Sequence, residues 1–116
     1  MGTWDERIFA EEANVDFLEE LANLDNEGIV EGVRDACVLA ASGAGSDIEE
    51  ANGHAAATIA AIWAGAPFSA GAIVEDYPFI RELIGEGDED LNEKATEVLE
   101  SVDTEEDLEA YLEALA

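Results

Sequence analysis

The chain has a single histidine, His54, and Glu50 precedes it by four residues. At that spacing the two side chains share one helix face, where a carboxylate and an imidazole ligate metals in helical bundles. A complete site needs further ligands. With no second His-bearing motif, these would have to be carboxylates from elsewhere in the chain. The simpler arrangement is a helix-face pair between His54 and Glu50, and the abundance of Glu favours it; no cofactor is expected. A second candidate set is aromatic. Trp4, Phe9, Trp63 and Phe68 would wall a ligand groove if they came together. Trp4 and Phe9 also read as plugs folded back onto the core, where burying each would contribute on the order of 2–3 kcal/mol. The plug is the stronger reading, because a terminus frays unless something anchors it.

Other spacings that suggest chemistry fail on inspection. Asp88, Asp90 and Asn92 start like a calcium loop, but Glu93 stands at the required glycine and Leu99 at the closing bidentate acid. "SGAGSD" at residues 42–47 has the look of a phosphate cradle. It lacks the lysine and the third glycine, and Asp47, Glu49 and Glu50 would repel a phosphate. The lone cysteine, Cys37, lies in "ACVLAA" and reads as a buried thiol, which excludes an intramolecular disulfide and a Cys-rich zinc site. Nucleophilic catalysis therefore has no base beside a nucleophile. Paired carboxylates would support acid–base chemistry, but nothing singles out a pair among 30 acids. The chain is not expected to be an enzyme.

These side chains need elements to position them, and composition limits which. The 116 residues suit one domain, and a hydrophobic fraction of 48% supports a packed core despite a net charge of −26. Only four bases are present, and Lys94 is the sole lysine. Such a surface repels nucleic acid and anionic lipid and attracts cations and basic proteins. High acid with little lysine also suits a high-salt cytoplasm without any partner. Charge divides the chain into an acidic zone over 1–50, a nearly neutral zone over 51–85 and an acidic zone over 86–116. The neutral zone is expected to be the core. Residues 51–74 are long and uncharged enough for a membrane span, but their Ala and Gly content, Pro67 and the acidic flanks argue for a buried helix. The first residues show neither a signal-peptide pattern nor the Ser or Thr of a myristoylation signal, so the cytoplasm is the expected location.

Periodicity is helical nearly throughout. It predicts an extended arm over 1–10 and core helices over 11–85. The first helix runs from about Glu11 to Leu24, with Phe17, Leu18, Leu21 and Leu24 on one stripe. The second runs from about Glu27 to Ala41, capped by Asn26. The third runs from Asp47 to about Gly65, and a short helix begins at Tyr77-Pro78. A C-terminal helical hairpin over 86–116 follows, with capping boxes at Asp90/Glu93 and Asp103/Glu106. The expected fold is all-α: a single-domain bundle of five to six helices. The Ala-rich third helix would also suit packing between subunits of a homo-oligomer.

"MGTW" at the start, Ile8-Phe9, "NVDFLEEL", "AAATIAAIWAG" and "LNEKATEVLESVDTEEDLEAYLEA" together resemble a bacterial family, domain of unknown function 4259 (DUF4259). Trp4, Phe9, Asp16 and Phe17 match its pattern. Asp5 replaces the usual glycine after the tryptophan, Ala10-Glu11-Glu12 replaces an Asn/Asp cluster, and Thr58 stands where the resemblance implies Glu. The family implies no reaction. The functional expectation therefore rests on charge: a non-enzymatic module that docks a basic protein partner, as an immunity protein or antitoxin would. The alternatives are a halophile-adapted housekeeping domain and a metal- or carboxylate-dependent enzyme.

Overall fold

The computed structural model describes residues 4–43, 45–66, 71–102 and 108–116. Among them there are eight helices and no strand: α1 (Trp4–Ala10), α2 (Glu12–Ala22), α3 (Asn26–Ser42), α4 (Asp47–Trp63), α5 (Gly71–Asp76), α6 (Phe79–Glu82), α7 (Glu89–Ser101) and α8 (Glu109–Leu115). The all-α expectation holds; the count of five to six does not. The two short helices α1 and α5 account for the difference. Neither is long enough to stand alone in water, so packing rather than propensity forms them.

Helix α4 is the axis of the molecule. From Ala55 to Trp63 every residue is buried, and α1, α2, α3, α6, α7 and α8 all pack against it. The neutral alanine-rich stretch is thus the core, and among the described residues no helix is long and apolar enough to cross a membrane. Its small residues permit close approach. A Cβ added at Gly53 would fall 2.2 Å from the Cβ of Ala40 and 3.1 Å from the carbonyl oxygen of Ala36, so α3 and α4 touch nearly backbone to backbone. Ser46 caps α4 by accepting from the Glu49 amide, and the Glu49 carboxylate accepts from the Ser46 amide at 2.9 Å. This capping box lies in the stretch that reads in sequence only as a loop.

Residues 4–10, expected extended, form α1. Trp4, Asp5, Ile8 and Phe9 are buried, a spacing that fits one helical face. Asp5 and Glu6 in the first turn and Arg7 in the last complement the helix dipole. The chain turns at Glu11 (φ −64°, ψ 137°) into α2, which ends at Ala22. Leu24 therefore leaves the stripe assigned to it and is 47% exposed. The cap of α3 is Asp25, which accepts from the Gly28 amide at 2.8 Å, not Asn26. The helix ends at Gly43, whose φ of 74° needs a residue without a Cβ. Pro78 caps α6 instead of occupying its first turn.

The start of α7 also differs. Asp88 is the cap and accepts from the Leu91 amide at 2.8 Å, which puts Asp90 inside the helix and leaves no box with Glu93. Leu91, Ala95, Val98 and Leu99 face the core as their spacing predicts. Helix α8 packs on α7 and α4 through buried Leu108, Tyr111 and Leu115. The Asp103/Glu106 box of the expected hairpin, like Phe68, lies outside the described residues.

Candidate functional site

Two candidate sets treated separately in the sequence meet in one place. Trp4 arrives from α1 and His54 from the second turn of α4, with ring centroids 6.2 Å apart and planes inclined at 48°. One hydroxyl locks the pair. Thr58 Oγ1 accepts the Trp4 indole N–H at 2.8 Å and donates to the His54 backbone carbonyl at 2.8 Å. Both partners of a fully buried hydroxyl are thus provided, which is the condition for placing it there. The Asn14 side chain, also fully buried, donates to the Ile8 carbonyl at 2.7 Å and ties the end of α1 to α2.

Beside this junction lies a cleft of about 440 Å³, lined on α1 by Trp4, Arg7 and Ile8 and on α4 by Asp47, Glu50, Ala51 and His54. Glu11, at the turn into α2, and Ser101 and Val102, at the end of α7, complete it. Burial pushes the His54 pKa below the ordinary histidine value, against the opposing pull of the Glu50 and Glu11 carboxylates. The imidazole is therefore largely neutral at neutral pH and adds no positive charge to the cleft.

Among the described residues no three His, Cys, Asp or Glu side chains gather closely enough to hold a metal ion, so Glu50 and His54 find no third ligand there. Of the aromatic set, Phe9 and Trp63 are sealed in the core at 0% and 1% exposure, and the Trp63 indole donates to the Ile80 carbonyl at 3.1 Å. Trp4 is also buried, with one edge on the cleft. Phe9 and Trp63 thus sit in the core, and of the described members of the set only Trp4 borders a cleft. Cys37 is fully buried, and desolvation pushes its thiol up to about 12, which removes it as a nucleophile.

A larger cleft of about 700 Å³ runs along α7 to the end of α8 and is lined by Asp88, Asn92, Glu93 and Glu97, among others. Two of its four lining carboxylates have work within the chain. Asp88 caps α7 and pairs with Arg34, and Glu97 pairs with Lys94 at 3.1 Å. The cleft beside Trp4 is the one that joins separate elements around the imidazole and the indole. Arg7, Glu11 and Ser101 had no signal in the sequence, since nothing in their local spacing ties them to His54, whereas Asp47 precedes His54 by seven residues on the same helix face.

The family model described as Domain of unknown function (DUF4259) matches residues 2–115. No curated protein and no solved structure matches the chain.

Proposed function

Because the chain belongs to the DUF4259 family, whose description names no activity, we propose its function from charge and shape: a non-enzymatic interaction module that docks a basic protein. An immunity or antitoxin protein that masks a basic toxin or nuclease is the concrete form. The observation that carries this reading is the separation of charge from core. The interior helix α4 is neutral over its buried length, while 30 carboxylates and only four bases are distributed over the rest. Such a surface steers cationic proteins and excludes nucleic acid and anionic membranes. The module acts in the cytoplasm, its C-terminal helices α7 and α8 paired as a hairpin. Immobilised protein incubated with lysate at physiological salt is expected to retain a basic partner that elutes as salt is raised. Retention of no basic protein ends the reading.

A halophile-adapted domain, whose carboxylates serve only hydration, is favoured by one specific observation: Lys94 is the sole lysine. It predicts a melting temperature that climbs steeply into molar potassium chloride. A docking module instead folds fully at physiological salt.

A further inference from the structure

We propose that Asn52-Gly53, in the second turn of α4, is a site of spontaneous deamidation that the folded helix keeps closed, and that its conversion withdraws an opened chain irreversibly. Asn-Gly occurs once in the sequence. The pair is a turn signal and glycine a poor helix former, yet both residues lie inside a helix. Packing demands the glycine, because any side chain at 53 would collide with Ala40 and crowd the Ala36 carbonyl. The asparagine therefore keeps the one neighbour that leaves its amide most open to attack, since glycine has no Cβ to obstruct the approach.

The chemistry uses the chain and water alone. The Gly53 backbone nitrogen attacks Asn52 Cγ, the new N–C bond replaces the bond from Cγ to Nδ2, and the amide nitrogen leaves as ammonia with the Gly53 proton. Water then opens the five-membered imide. Opening at Cγ gives aspartate at position 52; opening at the backbone carbonyl routes the chain through the side chain and lengthens the backbone by one methylene. Ring closure requires the Gly53 nitrogen to eclipse Asn52 Cβ about the Cα–C bond. A helical ψ of about −42° holds the two apart, and a residue inside a helix gives its N–H to the carbonyl four residues back. The side chain itself adds little protection, since Asn52 Oδ1 is buried without a hydrogen-bond partner. The helical backbone is thus the lock, and its free end is the first turn of α4, held by the Ser46–Glu49 capping box. Fraying past that box reaches Asn52. A backbone lengthened at this point moves Gly53 out of register with Ala36 and Ala40, where α3 and α4 approach closely.

The test incubates the full-length protein at mildly alkaline pH, in buffer and in guanidinium chloride, and follows each asparagine by peptide mass spectrometry. In guanidinium, Asn52 is expected to convert faster than Asn14, Asn23, Asn26 and Asn92. In buffer its conversion should be slower than in guanidinium by about tenfold or more, because only opened molecules react. Ser46→Ala removes the cap without touching Asn52 and should speed conversion in buffer roughly fivefold, with the circular dichroism of the wild type. Isoaspartyl chains, separated by chromatography and diluted from denaturant, should regain less helix than unconverted chains and unfold at lower urea. Equal rates in buffer and guanidinium would overturn the proposal, as would an Asn52 no faster than the other asparagines in guanidinium. So would a Ser46→Ala chain that converts at the wild-type rate, or isoaspartyl chains that refold with the wild-type urea midpoint. The guanidinium comparison needs no folded variant, and none of these outcomes bears on whether the protein docks a basic partner.

Discussion

Helices α4 and α7 differ in what surrounds them. Helix α4 is buried on every side from Ala55 onward, and alanine is its commonest residue there, so neighbours approach closely from several directions. Helix α7 buries one stripe, Leu91, Ala95, Val98 and Leu99, and exposes Glu89, Glu93, Glu97 and Glu100 on the opposite side. The contrast teaches where each kind of change is tolerated. A helix surrounded by protein has no face on which to place charge or volume; an amphipathic helix has one that water accepts. The only charged part of α4 is its first turn, Asp47, Glu49 and Glu50, where it emerges beside the cleft.

A charge placed on each helix separates them most. Ala60→Asp puts a carboxylate at a site of 0% exposure. The burial penalty of several kcal/mol rivals the whole stability of an ordinary domain, so this variant is expected not to fold, as read by circular dichroism and urea titration. Glu97→Gln on the exposed face of α7 is expected to shift stability by less than about 0.5 kcal/mol. An Ala60→Asp chain that unfolds cooperatively near the wild-type midpoint would mean α4 is not the core.

Volume is the next distinction. Gly53→Ala brings its methyl against Ala40 and the Ala36 carbonyl, and overpacking of this kind costs about 1–3 kcal/mol. If urea unfolding shows instead a gain, as expected for alanine in an uncrowded helix, then α3 and α4 do not approach as closely as described.

Hydrogen bonding at the α1 junction should have an effect of similar size but more local reach. Thr58→Val keeps the shape but removes the acceptor of the Trp4 indole N–H, at a cost of about 1–3 kcal/mol for the orphaned donor. Amide exchange over residues 4–10 should speed up more than exchange across α7. Equal acceleration in both would deny that this bond specifically holds α1.

The smallest effect concerns His54. Its folded pKa lies below the ordinary value because burial outweighs Glu50 and Glu11, so the unfolded chain binds the proton more readily. The stability linked to this group is therefore complete above about pH 6.5 and declines as pH falls through that value toward the folded pKa. Relief of carboxylate repulsion acts in parallel, but a His54→Gln variant shares it. Wild type is expected to lose stability relative to that variant on acidification. A relative gain would show the carboxylates winning over burial.

Much of the architecture was legible along the chain, because water imposes it locally. The acidic zones flanking a neutral one forecast that α4 would be the core, and the spacing of Leu91, Ala95, Val98 and Leu99 forecast the buried side of α7. The caps were less legible. Asp25 and Asp88 won over Asn26 and Asp90 because several neighbouring residues could each have capped, and only packing sets where a helix begins. Helix α1 was not legible at all: seven residues carry too little local preference to declare a helix before a core exists to receive Trp4, Ile8 and Phe9. The cleft depended on that docking. Glu50 and His54 share a helix face by sequence spacing alone, which any reader of the chain can see. That Trp4, Glu11 and Val102 face them is a contact between residues roughly forty to fifty positions apart, and no local periodicity encodes such a meeting. Composition and periodicity determined that the protein is helical, with a neutral central helix flanked by acidic ones; that Asp5 is buried, and which carboxylates share a cleft, was decided only when α1 and α7 closed onto α4.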